Sequence, residues 1–327
     1  MKQWIGCLLL TVATLGCSQG NSTGTATTKS DSEPQSPNQQ QSTQGAPQPA
    51  RLRVSIDGAK AMQYTKEATD MGPRWVGNAA HKKLEAYLRA HLKNDGLVED
   101  TFVANTPAGK LPMRNFIAKF SGTKPGVIVV SGHYDTIYNR KDFVGANDAG
   151  SSTGLLVALA DALRADSKGK PRDGYSVWLV WFDGEEAVRT WTADDSVWGS
   201  RHLAEKWNAD GTAKQIKALI NVDMIGDADL HVLFDTNSNG ELQKVIYQAA
   251  RSQAVADHFY QQTTGMDDDH IPFAKIGVPV ADLIDFDYGP NNSYWHTPED
   301  TVDKLSPKSL EIVGNVVLGT IELLDKQ

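Results

Sequence analysis

Pro125-Gly126-Val127-Ile128-Val129-Val130-Ser131-Gly132-His133-Tyr134-Asp135 is the stretch on which the fold turns. The unbroken β-branched run Val127 to Val130 predicts a strand buried on both faces, since a strand with one wet face would alternate apolar and polar residues. The apolar segment Ser152 to Leu163 predicts the helix that follows it. The rhythm repeats downstream, with strands at Tyr175 to Phe182, Ala218 to Met224, Leu230 to Phe234 and Val278 to Ile284. Helices are predicted near Ser200 to Trp207, from Leu242 to Phe259 and from Pro307 to Leu324. Short apolar strands alternating with helices imply a single α/β domain, its central mixed sheet mostly parallel and covered by helices on both faces.

Upstream of that core, Ala59, Met62 and Tyr64 mark a first helix that ends before the turn Met71-Gly72-Pro73-Arg74. A second helix, from about Asn78 to Lys93, carries Leu84, Leu88 and Leu92 four positions apart, which places them on one stripe. A turn at Thr106 to Gly109 separates two predicted strands, Leu97 to Ala104 and Met113 to Phe120. From Ser18 to about Ala50 the chain is Ser, Thr, Gln, Pro and Gly with almost no large apolar side chain, too little to offset the entropy of ordering. Residues 17–50 therefore read as a flexible tether to a domain spanning residues 51–327. At the start, Lys2 and the apolar stretch Ile5 to Leu15 read as an export signal over residues 1–16, too short to span a bilayer comfortably. Thr14-Leu15-Gly16-Cys17 resembles a bacterial lipoprotein cleavage box with Cys17 as the lipidated residue, Thr14 standing where such boxes usually carry Leu. That reading implies an exported lipoprotein, anchored by lipid at the periplasmic side of a membrane or at the cell surface. A plain secretory signal cut nearby is the alternative.

The 327 residues are 40% apolar and 22% charged, and 40 acidic against 32 basic side chains give a net charge of -8. Both signs are dispersed, with no basic run and no interleaving of Lys or Arg with aromatics, which argues against a nucleic-acid partner. The only cysteines, Cys7 and Cys17, lie in the signal region, so the domain has neither a disulfide nor a thiol nucleophile.

The polar residues that stand out fall after successive predicted strands. His133-Tyr134-Asp135 follows the strand ending at Val130, and Asp148 sits in the Gly-rich loop Gly145 to Gly150 before a helix. Glu185-Glu186 follows the strand ending at Phe182, Asp223 ends the next, and His296 follows a further one in Tyr294-Trp295-His296-Thr297. In sheets of this kind the crevice outside the strands' carboxyl ends is where ligands bind, so five strand-end loops are expected to converge on one site. An acidic loop residue taken alone is usually just solvated, and a lone His usually makes a structural hydrogen bond. Solubility does not require such residues at successive strand ends. Imidazole and carboxylate are zinc ligands, and a catalytic zinc keeps one position open. Adjacent glutamates at a strand end can divide the work, one on the metal and one held back for proton transfer. Other chemistries lack support: no Gly-Lys-Ser/Thr completes a phosphate loop, no dinucleotide fingerprint follows the first strand, and there is no Gly-x-Ser-x-Gly elbow.

From about Gly72 onward the chain resembles the zinc-dependent exopeptidase superfamily that contains bacterial leucyl aminopeptidases and animal-type glutaminyl-peptide cyclotransferases. The resemblance implies that His133 and Asp135 form the His-x-Asp motif, Asp148 is the central aspartate, and Glu185 is the catalytic glutamate with Glu186 the adjacent ligand. Asp223 matches the aspartate after the following strand, and His296 the final ligand. Trp181 to Ala187, Trp191, Asp195 to Ala204, Asp268-Asp269-His270-Ile271-Pro272-Phe273, Gly277-Val278-Pro279-Val280 and Trp295 are similar to the cyclotransferase pattern. In that family the residues matching Trp191 and Trp295 line the substrate pocket, and those matching Asp223, Asp268 and His270 form a network around the catalytic glutamate or the substrate. The loop Gly145 to Gly154 looks more like the aminopeptidase version, and the disulfide of secreted animal cyclases is absent.

The resemblance thus implies two possible reactions. As a cyclase, the domain would hold one zinc with Asp148, Glu186 and His296, and Glu185 would shuttle a proton while the N-terminal glutamine of a peptide or protein closes on itself. As an aminopeptidase it would hold two zincs roughly 3.5 to 4 Å apart bridged by Asp148, with His133 and Asp223 on one and Glu186 and His296 on the other. Glu185 would then activate water against the first peptide bond. The partner in either case is a peptide or protein with a free N-terminus, with Gln preferred in the first. A binding protein with a vestigial site is the non-enzymatic reading.

Overall fold

In the computed structural model, residues 51–327 are described. The signal segment, the tether and Cys17 lie outside them. No helix among the described residues is long and apolar enough to cross a membrane.

The chain order is α1 (Gly58–Thr69), α2 (Ala79–Leu92), β1 (Val98–Thr106), β2 (Gly109–Phe120), β3 (Gly122–His133), α3 (Gly150–Ser167), β4 (Arg172–Phe182) and α4 (Trp198–Asp210). It continues with β5 (Ile216–Asp223), β6 (Val232–Asp235), α5 (Gly240–Ser252), β7 (Phe259–Thr264), α6 (Ile271–Ala274), β8 (Val280–Ile284) and α7 (Pro307–Leu324). Six strands form the central sheet in the order β1-β2-β4-β3-β5-β8. β1, β2 and β4 run antiparallel to their neighbours in turn, whereas β4, β3, β5 and β8 are mutually parallel. The expected mixed but mostly parallel sheet is therefore present, with an antiparallel hairpin on one edge.

The two-residue alternation of strand side chains divides the core. Ile128 and Val130 of β3, Leu179 and Trp181 of β4, and Ile220 and Val222 of β5 point into a cluster with α1, α2, α3, α5 and α7. Val127, Val129, Val180, Phe182 and Leu219 face the other way, onto Leu203 and Trp207 of α4 and Phe273 of α6. The Leu84-Leu88-Leu92 stripe of α2 is fully buried. Helix starts follow side-chain capping: Asp57 accepts from the Lys60 amide, Asn78 from His81, Asn239 from Leu242, and Ser306 precedes Pro307.

Three elements depart from the sequence reading. The helix expected from Leu242 to Phe259 stops at Ser252, where Ala254 takes φ 58° and turns the chain out of the helix. The residues beyond it become β7, with Phe259 fully buried and paired to Val232. Burial of that aromatic next to β6 outweighed the helical pattern. As a result β6 lies outside the central sheet, forming a two-stranded parallel sheet with β7. α6, a single turn with Pro272 in its first turn, was not expected.

Candidate active site

The carboxyl ends of β3, β4, β5 and β8 lie side by side, and the chain leaving each contributes to one cavity of about 370 Å³. The expected count of five strand-end loops is corrected to four strands. β3 extends through His133, so this ring sits on the strand itself and shares its connection with Asp148. Asp223 is likewise the last residue of β5.

Asp148 is held in place by its surroundings. The Asp300 carboxylate accepts from the Asn147 amide at 2.8 Å and from the Asp148 amide at 3.2 Å, and the Tyr288 hydroxyl donates to it at 2.8 Å. The Asn147 side chain donates to the Met224 carbonyl (3.0 Å) and accepts from the Gly226 amide (2.8 Å), tying the loop to the end of β5. Arg74, fully buried, donates to the carbonyls of Val144 and Gly145. Gly145 has φ +53°, and a Cβ there would collide with the Asp148 carbonyl oxygen, so the loop requires glycine at that point.

Gly184, with φ +67°, turns the chain after β4. Asp135 then fixes the glutamate pair, accepting from the Glu185 amide at 3.0 Å and the Glu186 amide at 3.4 Å. The two side chains diverge: Glu186 Oε1 lies 3.5 Å from His296 Nε2, and Glu185 Oε2 lies 3.7 Å from His133 Nδ1.

Asp148 stands between the two histidines. Its Oδ1 is 3.2 Å from His133 Nε2 and its Oδ2 is 3.2 Å from His296 Nε2. His133 Nε2 is also 3.2 Å from Asp223 Oδ1. Two overlapping groups result, Asp148-Glu186-His296 and His133-Asp148-Asp223, each with ligand atoms within 4.8 Å of one another. The residues present fit a divalent cation. Glu186 Oε1 and His133 Nδ1 are buried with no hydrogen-bond partner, and the donors are the carboxylate-imidazole set that such a metal takes.

The electrostatics point the same way. Burial, joined by the charge of Asp148, pushes the Glu186 carboxyl well above its usual range. Burial does the same to Glu185, opposed by His133 and reinforced by Asp268 and Glu186. Burial alone would raise Asp148 too, but hydrogen bonds from His133 and His296 outweigh it and hold that group below its usual range. A site so crowded with acid is relieved by a bound cation.

Trp191 and Trp295, 38% and 36% exposed, flank the cavity. Trp295 stacks on His296 with ring centroids 4.1 Å apart, and Phe286 meets Trp295 edge-on at 4.8 Å. Asp268 lines the floor and accepts from Asn221 Nδ2 at 2.9 Å; burial, followed by the charge of Asp223, pushes its carboxyl up to about 6. His270 needs a correction. Read as substrate-binding, it is fully buried and does not line the cavity; its Nε2 lies 3.1 Å from Asp235 and its Nδ1 3.8 Å from Asp282.

Sequence reasoning missed Arg74, Asn147, Tyr288 and Asp300, which brace the Asp148 loop, and Asn221 and Asp282 under the floor. Asp282 did carry a signal, an acid inside the apolar strand Val280–Ile284.

Residues 115–321 match Peptidase family M28. Glutaminyl-peptide cyclotransferase of Drosophila melanogaster is 32% identical over 269 residues, covering 72% of this chain and 73% of that protein. The fold superposes on the crystal structure of an Acidobacteriales bacterium glutaminyl cyclase with a TM-score of 0.80 and 45% identity, covering 88% of this chain and 99% of the other. A Zn-dependent exopeptidase from Parabacteroides distasonis, 23% identical, shares the fold with a TM-score of 0.72 over 84% of this chain and 99% of its own. With the family pattern spanning most of the domain and a relative this similar over most of its length, the chain belongs to peptidase family M28 and, within it, to the glutaminyl-peptide cyclotransferases.

Proposed function

We propose that the protein converts the N-terminal glutamine of peptides and proteins to pyroglutamate with release of ammonia. The observation that carries this reading is a glutamate, Glu185, placed beside the Asp148-Glu186-His296 group but outside it, under a cavity flanked by two tryptophans, in a chain of the cyclotransferase family. Asp148, Glu186 and His296 would hold zinc, which when bound would supply polarisation of the glutamine γ-carbonyl.

The remaining work falls to the chain. Trp191 and Trp295 hold the glutaminyl side chain curled so that its own α-nitrogen faces the γ-carbonyl carbon, and this proximity replaces a bimolecular encounter. As the nitrogen-carbon bond forms, a Glu185 carboxylate oxygen takes a proton from the α-amine. The same carboxyl returns it to the amide nitrogen as the bond to that nitrogen breaks and ammonia leaves. No water is consumed. Burial raises Glu185 above the usual carboxylate range, which suits a group that must both take and give a proton. The nearby carboxyls of Asp268 and Glu186 reinforce the upward shift and so favour that proton on Glu185.

A second reading is favoured by the His133-Asp148-Asp223 group. Two zincs sharing Asp148, with Glu185 activating water, would make the site an aminopeptidase. The deciding experiment incubates the purified domain with Gln-Ala and Leu-Ala peptides. Ammonia and a product lighter by one ammonia support cyclisation, whereas free amino acid supports hydrolysis and overturns it.

The proposal extends to location. Export directed by residues 1–16 and lipid attachment at Cys17 would hold the domain by its tether at the periplasmic side of a membrane or the cell surface. Labelling by a fatty-acid analogue, lost in Cys17→Ala, tests it; an unlabelled native protein would refute it.

A further inference from the structure

The cavity is charged on one side of the ledger only. Asp148, Glu185, Asp223, Asp267 and Asp268 line it with His296, and no Lys or Arg does. Four of these carboxylates are buried in the floor, where metal binding and proton transfer account for them. Asp267 alone is exposed, at the mouth, and no hydrogen bond or ion pair engages its side chain among the described residues.

Its position is nevertheless fixed from both sides. The Met266 amide donates to Asp235 Oδ1 at 2.8 Å, and Asn237 Nδ2 donates to the Met266 carbonyl at 2.6 Å. On the other side, Asp268 is buried and bonded to Asn221, and its carbonyl accepts from the Ile271 amide at 2.9 Å. A carboxylate on a pinned backbone loses little freedom when a partner arrives. Beside it, Met266, Phe286 and the tryptophans give the wall an apolar surface. A terminal glutamine reacting at the floor sends the second residue of the substrate out through this mouth.

Resting on the cyclase reading above, we propose that Asp267 is a specificity-determining residue that favours lysine or arginine as the second residue of the substrate. The methylene stem of such a side chain lies along the apolar wall while its head reaches the carboxylate. An exposed pair of this kind is expected to raise kcat/KM by about two- to fivefold over an uncharged second residue, and salt screens it. The contact is made equally before and during reaction, so the gain falls on KM more than on kcat.

The test measures kcat/KM for Gln-Lys, Gln-Ala and Gln-Glu peptides at low and high salt with the wild-type protein, Asp267→Asn and Asp267→Lys. The expected wild-type order is Lys, then Ala, then Glu, narrowing in high salt. Asp267→Asn compresses the Lys-to-Ala ratio, and Asp267→Lys reverses the order. A ratio unmoved by Asp267→Asn overturns the proposal. So does an equal loss on all three peptides, which would mean that Asp267 grips the substrate backbone. Turnover of Gln-Ala with no discrimination by charge in the wild type refutes this inference alone, whereas no pyroglutamate from any peptide refutes the cyclase reading with it.

Discussion

Replacing Glu185 with Gln separates proton transfer from metal binding. The two side chains are nearly isosteric, and the Glu185 backbone is set by neighbours the change does not touch: Asp135 accepts its amide at 3.0 Å, and the Val197 amide donates to its carbonyl at 2.8 Å. Glu185 is absent from the Asp148-Glu186-His296 group. The variant should therefore keep the wild-type zinc content while turnover falls by about 10²- to 10⁴-fold, the usual contribution of a positioned base, or about 3 to 5 kcal/mol of barrier. Glu186→Gln and His296→Ala, which remove donors from that group, should lower zinc occupancy together with activity. Elemental analysis of purified variants, alongside ammonia release from Gln-Ala, reads both quantities. Equal zinc loss in Glu185→Gln and His296→Ala would refute the division of roles.

Three further outcomes are expected. His133→Ala should lower kcat/KM modestly if one metal works, and abolish activity with loss of about half the bound zinc if two do; metal titration against activity distinguishes them. Asp325→Ala should destabilise the domain by about 3 kcal/mol in urea unfolding, because Asp325 accepts from Arg172 at 2.6 Å and 3.1 Å, and Arg172, with a side chain 3% exposed, would keep only Asp166 at 3.8 Å and the Tyr175 carbonyl as partners. Burial pushes the Asp285 carboxyl up to about 7, so in the window between its unfolded value near 4 and about 7 the unfolded chain releases its proton first and stability falls as pH rises, by up to about 4 kcal/mol. Asp285→Asn removes that slope but leaves one of the amides of His231 and Asp287 facing an amino group, so it should be the less stable protein at pH 5 and gain on the wild type by pH 8; parallel unfolding curves at the two pH values would refute the assignment.

Much of the architecture was legible because the strands that build it are buried on both faces. Val127 to Val130 has no reading other than a central strand, and the Pro307–Leu324 helix is bounded by a serine cap and a proline that leave little freedom in placing its start. β7 was not legible, since Phe259 follows the apolar spacing of α5 and only the tertiary pairing to Val232 makes it a strand. The candidate ligands were visible because each is a polar residue at the end of an apolar strand or in the connection that leaves one. Their supports were not. Asp300 and Tyr288 lie in a long connection with no periodicity, and nothing local marks an aspartate that caps a loop more than 150 positions earlier. His270 misled for the opposite reason: it sits in a motif with Asp268, but the single turn of α6 that begins beside it carries the ring beneath the floor.

Asp300 also joins two of the distant segments from which the metal donors come, those of Asp148 and His296. It lies four residues after His296 in the connection to α7, and it clasps the backbone of Asn147 and Asp148. The Asp148 loop and the His296 connection are consequently tied together by the chain's own hydrogen bonds. That tie does not pass through the ion, so stripping with a chelator should leave the scaffold standing.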